Sequence, residues 1–210
     1  MKIVSVWNPK GGQGKSLIAL NLAAAATAQG RKAIVICRDP QGTSTLFYNG
    51  GNLPFAVLPA YPKDQPDVDL VIVDHAADDW IVPTSPIVII PCIPERSQYA
   101  TFRDALALLE NSEVTNRVIQ LVTNTDYRVS QQANIATAMK RAGAFELRRI
   151  ASLFTKAAEE YRTIFDSSQI IRRSYAVHDR QKEFNTLLAS IQRTRIKQTR
   201  KILQQERAYA

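Results

Sequence analysis

Short apolar runs alternate along this chain with longer stretches whose apolar residues recur at helical spacing. The runs are rich in Val and Ile, a pattern typical of strands that are buried on both faces. The predicted strands are 3–7, 33–37, 70–74, 87–90 and 118–122, with short ones near 55–58 and 147–151. The predicted helices are 16–29, a segment after Pro94, and segments near 130–142 and 156–166. Residues 49–68, rich in Gly, Pro and Asp, are expected to be loops around the short strand, and Pro91 is expected to end the strand 87–90.

This alternation predicts an α/β fold in one domain, residues 1–178, with a mostly parallel twisted sheet and helices on both faces. The last predicted helix spans 179–207. Its main apolar residues fall within about 100° of arc, and most of its basic residues lie opposite. We therefore expect residues 179–210 to form a basic amphipathic helix packed on the domain through Phe184, Leu187, Leu188, Ile191 and Ile202.

Between the first predicted strand and the first predicted helix, residues 10–16 read Lys-Gly-Gly-Gln-Gly-Lys-Ser. Glycines allow backbone N–H groups to turn toward phosphates, and the start of the helix adds its positive dipole end. Lys15 is placed to reach the β- and γ-phosphates of a nucleotide, and the Ser16 hydroxyl to ligate Mg²⁺. The spacing predicts a P-loop NTPase fold whose nucleotide-binding residues are Gly11, Gly12, Gln13, Gly14, Lys15, Ser16 and Leu17.

An acidic residue, Asp74, ends the predicted buried strand 70–74. In a P-loop fold, a carboxylate at this strand end reaches Mg²⁺ through water. The sequence therefore predicts a metal site formed by Ser16 and Asp74. His75 follows directly, and we expect it to have a local packing role.

The formal net charge of +8 is unevenly distributed along the chain. Residues 1–127 contain ten basic and twelve acidic side chains, whereas residues 128–210 contain seventeen and seven. A one-sided basic surface is typical of proteins that bind nucleic acid or anionic lipid, although a solvated face is the simpler interpretation. The residues expected to contact DNA phosphates are Arg172, Arg173, Arg193, Lys197, Arg200 and Lys201.

The remaining composition indicates a cytoplasmic protein. No apolar run reaches eighteen residues, and Lys2 is followed by too short an apolar stretch for a signal peptide. Cys37 and Cys92 lie in strand-like runs, so we expect them to be reduced core residues rather than a disulfide or a metal pair.

The strict phosphate-loop pattern requires Gly at position 9, where this chain has Pro9, and an extra lysine, Lys10, stands at the head of the loop. This departure resembles the deviant Walker A motif of the ParA/MinD superfamily, most closely that of small plasmid partition ATPases. The resemblance implies an ATPase that forms an ATP-dependent homodimer. In such a dimer Lys10 would reach the ATP of the partner subunit, and Lys15 would act on the phosphates of its own.

A second segment, Cys37-Arg38-Asp39-Pro40-Gln41-Gly42, resembles the Asp-x-Asp-Pro-Gln segment of that family. The resemblance implies that Asp39 positions the attacking water. Cys37 replaces the first Asp of the pattern, which implies slow or altered hydrolysis, stimulated by a partner. Residues 89–94 and the helix after them resemble the strand, loop and helix that line the dimer interface, and Asn124 resembles a strand-end Asn that contacts adenine.

The resemblance implies non-specific DNA binding by a nucleoid-associated dimer with Mg²⁺ and ATP or ADP, and a ParB-like adaptor that stimulates hydrolysis during DNA partition. Three alternatives remain open. An accessory ATPase of conjugative transfer would share the chemistry, and a MinD-like switch would use the C-terminal helix on membranes. The helix lacks clustered Trp or Phe on its apolar face, which argues against the membrane. An interaction module with an inactive site is the third.

Overall fold

The computed structural model describes residues 1–114, 116–149, 157–166 and 175–193. Strands and helices alternate through these residues as the sequence pattern predicts. The strands are β1 (Lys2–Val6), β2 (Ala33–Cys37), β3 (Ala56–Leu58), β4 (Leu70–Asp74), β5 (Ile87–Cys92), β6 (Arg117–Thr123) and β7 (Phe145–Leu147). The helices are α1 (Lys15–Ala28), α2 (Thr43–Asn49), α3 (Arg96–Glu110), α4 (Ser130–Arg141) and α5 (Tyr175–Arg193).

The strands form one parallel sheet in the order β3-β2-β4-β1-β5-β6-β7. The register sets Asp74 opposite both Val6 of β1 and Cys37 of β2. The carboxyl ends of the three central strands therefore meet at one edge, where the loops that follow them converge. This arrangement confirms the predicted α/β fold.

Helices cover both faces of the sheet. On one face α1 is buried between the sheet and α5, and its run of alanines lets the helix approach the strands closely. Phe184, Leu187, Leu188 and Ile191 of α5 are at most 1% exposed and belong to the same apolar cluster. On the other face Phe102 and Leu109 of α3 pack with Trp7 and β5.

Both cysteines are free buried thiols, as predicted. Burial raises the pKa of the Cys92 thiol to about 12, so this side chain remains a neutral core residue. No helix within the described ranges has the length and apolar character that crossing a membrane requires.

The prediction that Pro91 ends its strand is wrong, because β5 continues to Cys92. The carbonyls of Ile89 and Pro91 face the β1 side, where they accept hydrogen bonds from the Trp7 backbone N–H and the Asn8 side chain. Pro91 lies beyond the last residue of β1, so its nitrogen faces no strand and the missing N–H costs no ladder hydrogen bond.

Other boundaries also differ from the predictions. Helix α2 lies where no helix was predicted, and it begins after Gly42, whose φ of 65° only glycine adopts easily. Strand β7 starts two residues before the predicted range, directly after the turn at Gly143. Of the described residues in the predicted helix 156–166, residues 157–159 are helical, and turns follow to residue 166. Helix α5 begins four residues before the predicted start, and the predicted part beyond Arg193 lies outside the described residues.

Candidate functional site

Hydrogen bonds within the protein and two left-handed glycines give the loop between β1 and α1 its shape. The Asn8 side chain accepts a hydrogen bond from the Lys10 backbone N–H at 2.8 Å and donates one to the Pro91 carbonyl at 2.7 Å. Gly12 and Gly14 have φ angles of 74° and 77°, which the loop needs and side chains resist. Because α1 starts at Lys15, its first backbone N–H groups open toward the same loop.

Lys15 is a buried cation at this helix start. It is 7% exposed, and its Nζ donates to the Lys10 carbonyl at 3.1 Å. Burial lowers the pKa of Lys15, and the nearby charges of Asp74 and Asp39 oppose part of that effect. A largely desolvated ammonium at the N-terminus of a helix favours an anionic ligand.

Asp74 lies at the end of β4 and is fully buried. Its Oδ2 accepts a hydrogen bond from the Ser44 hydroxyl at 2.6 Å, and Ser16 also donates to this carboxylate. Burial raises the pKa of Asp74, and the two serine hydrogen bonds counteract the rise in part. Oδ1 is buried with no hydrogen-bond partner among the described residues.

These atoms fit a magnesium ion. Mg²⁺ binds hard oxygen ligands and keeps several waters, so it needs few protein groups. The Ser16 hydroxyl could serve as one such ligand, and Oδ1 of Asp74, which has no hydrogen-bond partner among the described residues, could accept a hydrogen bond from a metal-bound water. Ser44 was missed by the sequence reasoning because the short helix α2 that carries it was not predicted.

The turn after β2 brings Asp39 to the same edge of the sheet. Cys37 ends the strand, and its thiol lies 3.8 Å from the Asp39 carbonyl oxygen. The Asp39 carboxylate is half-buried and accepts a hydrogen bond from the Gln41 backbone N–H at 2.9 Å. The structure thus brings Lys15, Ser16, Asp39 and Asp74 together, with Cys37 beside them.

Three other predicted residues are exposed. Lys10 is exposed at the head of the loop, and Asn124 is exposed just after β6, with a φ of 54°. Arg193 is exposed at the end of α5. The other five predicted DNA contacts, Arg172, Arg173, Lys197, Arg200 and Lys201, lie outside the described residues.

Comparison with known protein families shows to which family this sequence belongs. A model of the CobQ/CobB/MinD/ParA nucleotide binding domain matches residues 4–208. The chain belongs to this family. The ParA/MinD resemblance of the loop and of the segment after β2 is therefore confirmed at the level of the family.

Solved structures of CobQ/CobB/MinD/ParA-type folds superimpose over most of the chain. Apo McdA from Cyanothece is 14% identical with a TM-score of 0.68, covering 91% of this chain and 99% of its own. MinD from Aquifex aeolicus is 16% identical with a TM-score of 0.67, covering 90% and 98%. A putative plasmid partition protein from Borrelia burgdorferi bound to AMPPNP is 13% identical with a TM-score of 0.65, covering 90% and 98%. No curated protein matches the sequence.

Within this CobQ/CobB/MinD/ParA domain, the Gln13 side chain has a partner that the sequence did not indicate. It is 1% exposed and points away from the open side of the loop. Its Oε1 accepts from the Ile93 backbone N–H at 2.9 Å, and its Nε2 donates to the Gly11 carbonyl at 3.3 Å and to Oε1 of Gln98. The side chain therefore joins the loop to β5 and α3, and only its backbone remains available to phosphates.

His75, directly after Asp74, belongs to a buried polar chain. Its Nδ1 lies 3.0 Å from Asp79 Oδ2, its Nε2 lies 3.0 Å from Ser5 Oγ, and Ser5 Oγ lies 2.7 Å from Ser85 Oγ. Burial is the largest single effect and would raise the pKa of Asp79, but the interactions with His75, the Ile81 backbone N–H and Arg38 together outweigh it, so the pKa is lowered.

The Ser5–His75–Asp79 distances match those of a nucleophile, its base and an orienting acid. Ser5 is fully buried in the central strand β1, so no substrate reaches its hydroxyl. This chain of hydrogen-bonded side chains therefore has a structural role, which agrees with the predicted packing role of His75. It holds the segment after β4 against β1 and Ser85. A separate hydrogen bond, from the Asp78 backbone N–H to the Pro9 carbonyl at 2.7 Å, joins the same segment to the phosphate loop.

Replacing His75 by leucine is expected to destabilise the fold. The change leaves Ser5 and Asp79 without their shared partner, and one orphaned buried polar group costs about 1–3 kcal/mol. We expect a loss of about 2 kcal/mol, measured as a lower urea midpoint at unchanged slope. His178→Leu is the matched control, because His178 is exposed on α5. Equal midpoints for the two variants would contradict the role given to the buried chain.

Proposed function

We propose that this protein is an ATP-dependent switch that dimerises on Mg²⁺-ATP, binds DNA without sequence specificity and hydrolyses ATP slowly. The observation that carries the proposal is the cluster of Lys15, Ser16, Asp39 and Asp74 at one edge of the sheet, beside a loop with an exposed second lysine, Lys10. Its role would be the partition or positioning of DNA, in line with the partition-type and MinD-type folds that it resembles.

In this proposal the backbone of residues 11–17 and the start of α1 bind the phosphates. Lys15 contacts the β- and γ-phosphates, and Ser16 and Asp74 hold the metal, Asp74 through water. Bound Mg²⁺ would neutralise charge on the phosphate oxygens. Asp39 orients the attacking water, because a carboxylate on the turn after β2 can accept its proton. Asn124, at the end of β6, contacts the adenine.

Lys10 is assigned to the partner subunit. Its side chain is exposed at the head of the loop, whereas Lys15 is buried behind it, so the two lysines are suited to different nucleotides. A dimer closed by two such contacts would form only with ATP bound, and hydrolysis would release it. A ParB-like adaptor is proposed to stimulate that hydrolysis.

The basic C-terminal part of the chain supports DNA as the ligand. Residues 128–210 carry seventeen basic and seven acidic side chains. Dimerisation would double the number of phosphate contacts and steepen the salt dependence. The proposed contacts are Arg172, Arg173, Arg193, Lys197, Arg200 and Lys201.

The test is binding to random-sequence double-stranded DNA with ATP, ADP or no nucleotide at 50 and at about 200 mM salt. We expect binding that needs ATP and weakens at least about 100-fold at the higher salt, since six or more phosphate contacts lose about a thousandfold. Binding that ignores the nucleotide would contradict the switch. ATP-dependent sedimentation with anionic liposomes and not with DNA would favour the membrane alternative.

A further inference from the structure

The Gln13 side chain is buried within the protein and hydrogen-bonded through both its amide oxygen and its amide nitrogen. The orientation of its amide is determined by its partners. A backbone N–H can only donate, so the Ile93 N–H fixes the Gln13 oxygen, and the nitrogen must face Gly11 and Gln98. Gln98 therefore presents its oxygen to Gln13 and acts as the acceptor.

Gln98 lies in the first turn of α3, three residues after the residue that precedes the helix, Glu95. The Tyr99 backbone N–H donates to the Glu95 carbonyl at 2.7 Å, and this bond closes the first turn. A shift of Gln98 thus moves the turn on which the rest of α3 is built. The outer side of α3 is exposed and includes Arg96, Arg103 and Leu108.

A change in the loop backbone at residues 12–14 acts directly on Gln13. Gly12 and Gly14 on either side have positive φ angles, and the Gln13 side chain between them is hydrogen-bonded at both ends of its amide. Reorganisation of the flanking backbone around phosphates would therefore be passed to Ile93 and to Gln98.

We propose that Gln13 is a positioning residue that couples nucleotide occupancy of the phosphate loop to the first turn of α3, through its hydrogen bond to Gln98. The inference rests on the nucleotide binding in the proposed function, but not on dimerisation or DNA. If Gln13 acts in this way, the position of the exposed side of α3 depends on whether nucleotide is bound. Coupling of this kind is reciprocal, so α3 also biases nucleotide affinity.

The test is amide hydrogen exchange of the full chain with and without Mg²⁺ and a non-hydrolysable ATP analogue. In the unmodified protein we expect slower exchange in the loop, residues 9–18, and in the first turn of α3, reported by residues 99–102. In Gln98→Leu, which keeps the size but removes the acceptor, the loop should still be protected. The effect on α3 should fall about fivefold, the size expected for one hydrogen bond.

Two variants serve as controls. Gln98→Glu keeps an acceptor oxygen at the same reach and should behave like the unmodified protein. Thr101→Ala removes a hydroxyl that bonds only the Ser97 carbonyl of its own helix, at 3.4 Å, and should also leave the coupling intact.

The inference would be overturned if the analogue slowed amide exchange in the first turn of α3 of Gln98→Leu as much as in the unmodified protein. It would also be overturned if the analogue did not change exchange in that turn of the unmodified protein. Loss of loop protection in Gln98→Leu would also overturn it, because Gln98 would then belong to the binding site. If the analogue does not slow amide exchange in the loop of the unmodified protein, the proposed nucleotide binding itself is wrong, and this result differs from all of the others.

Discussion

Asp39→Asn is expected to reduce ATP hydrolysis at least about 100-fold while leaving ATP binding unchanged within about threefold. A carboxylate that orients or deprotonates the attacking nucleophile contributes about 10²–10⁴-fold to the rate. Asparagine keeps the oxygen that accepts from the Gln41 N–H at 2.9 Å, so the turn after β2 keeps its shape and only the charge is lost. Phosphate release under single-turnover conditions measures the rate, and a fluorescent ATP analogue measures binding.

Asp64→Asn is the matched control, because Asp64 is an exposed acid in the loop between β3 and β4. Its turnover should equal that of the unmodified protein. If Asp39→Asn hydrolyses ATP at the normal rate, the assignment of the attacking water to Asp39 is wrong. The baseline rate is informative as well, since Cys37 replaces an acid of the related pattern and slow hydrolysis is expected from the start.

The sequence predicted the positions of the glycine-rich loop and of the Asp74 carboxylate because both depend on local patterns. A glycine-rich loop needs its strand before it and its helix after it, and an acid at the end of a buried run reaches the sheet edge in any parallel fold. Lys15, Ser16 and Asp74 therefore meet as predicted. The parallel order of the seven strands then places Asp39 near them, since the turn after β2 opens at the same edge.

The rest of the site depends on contacts between distant parts of the chain, which periodicity does not encode. Gln13 bonds Gln98, eighty-five positions away, and His75 bonds Ser5, seventy positions away. Pro91 stays within its strand only because β1 ends earlier, which the sequence around Pro91 does not show. Ser44 reaches Asp74 from a helix of seven residues, too short to display a period.

These distant contacts give the site two rigid supports. The His75 chain holds the segment after β4 against β1 and Ser85, and the Gln13 side chain joins the loop to Ile93, directly after β5, and to α3. A loop that such hydrogen bonds hold in shape loses less conformational entropy when it binds phosphates.

Replacing Lys15 by alanine is expected to weaken ATP binding, whereas replacing Lys10 by alanine is expected to weaken the dimer. Lys15→Ala removes a 7% exposed cation that faces the ligand, and loss of a buried charge partner costs about 3 kcal/mol or more. ATP binding should weaken at least about 100-fold in the monomer. Lys10→Ala removes an exposed side chain but keeps the backbone carbonyl that accepts from Lys15 Nζ at 3.1 Å, so the loop and the monomer's ATP affinity should persist.

What Lys10→Ala should lose is the dimer. A hydrogen bond to a charged group contributes about 1.5–3 kcal/mol, and the symmetric dimer contains two of them, so the dimer should weaken at least about 100-fold. Sedimentation with saturating ATP measures this, and Lys63→Ala, an exposed lysine in the loop between β3 and β4, is the control. If Lys10→Ala forms ATP-dependent dimers of normal stability, the proposal that Lys10 contacts the nucleotide of the partner subunit is wrong. Weak ATP binding by the Lys10→Ala monomer would instead indicate that both lysines contact the same nucleotide. The burial of Lys15 and the exposure of Lys10 argue against that arrangement.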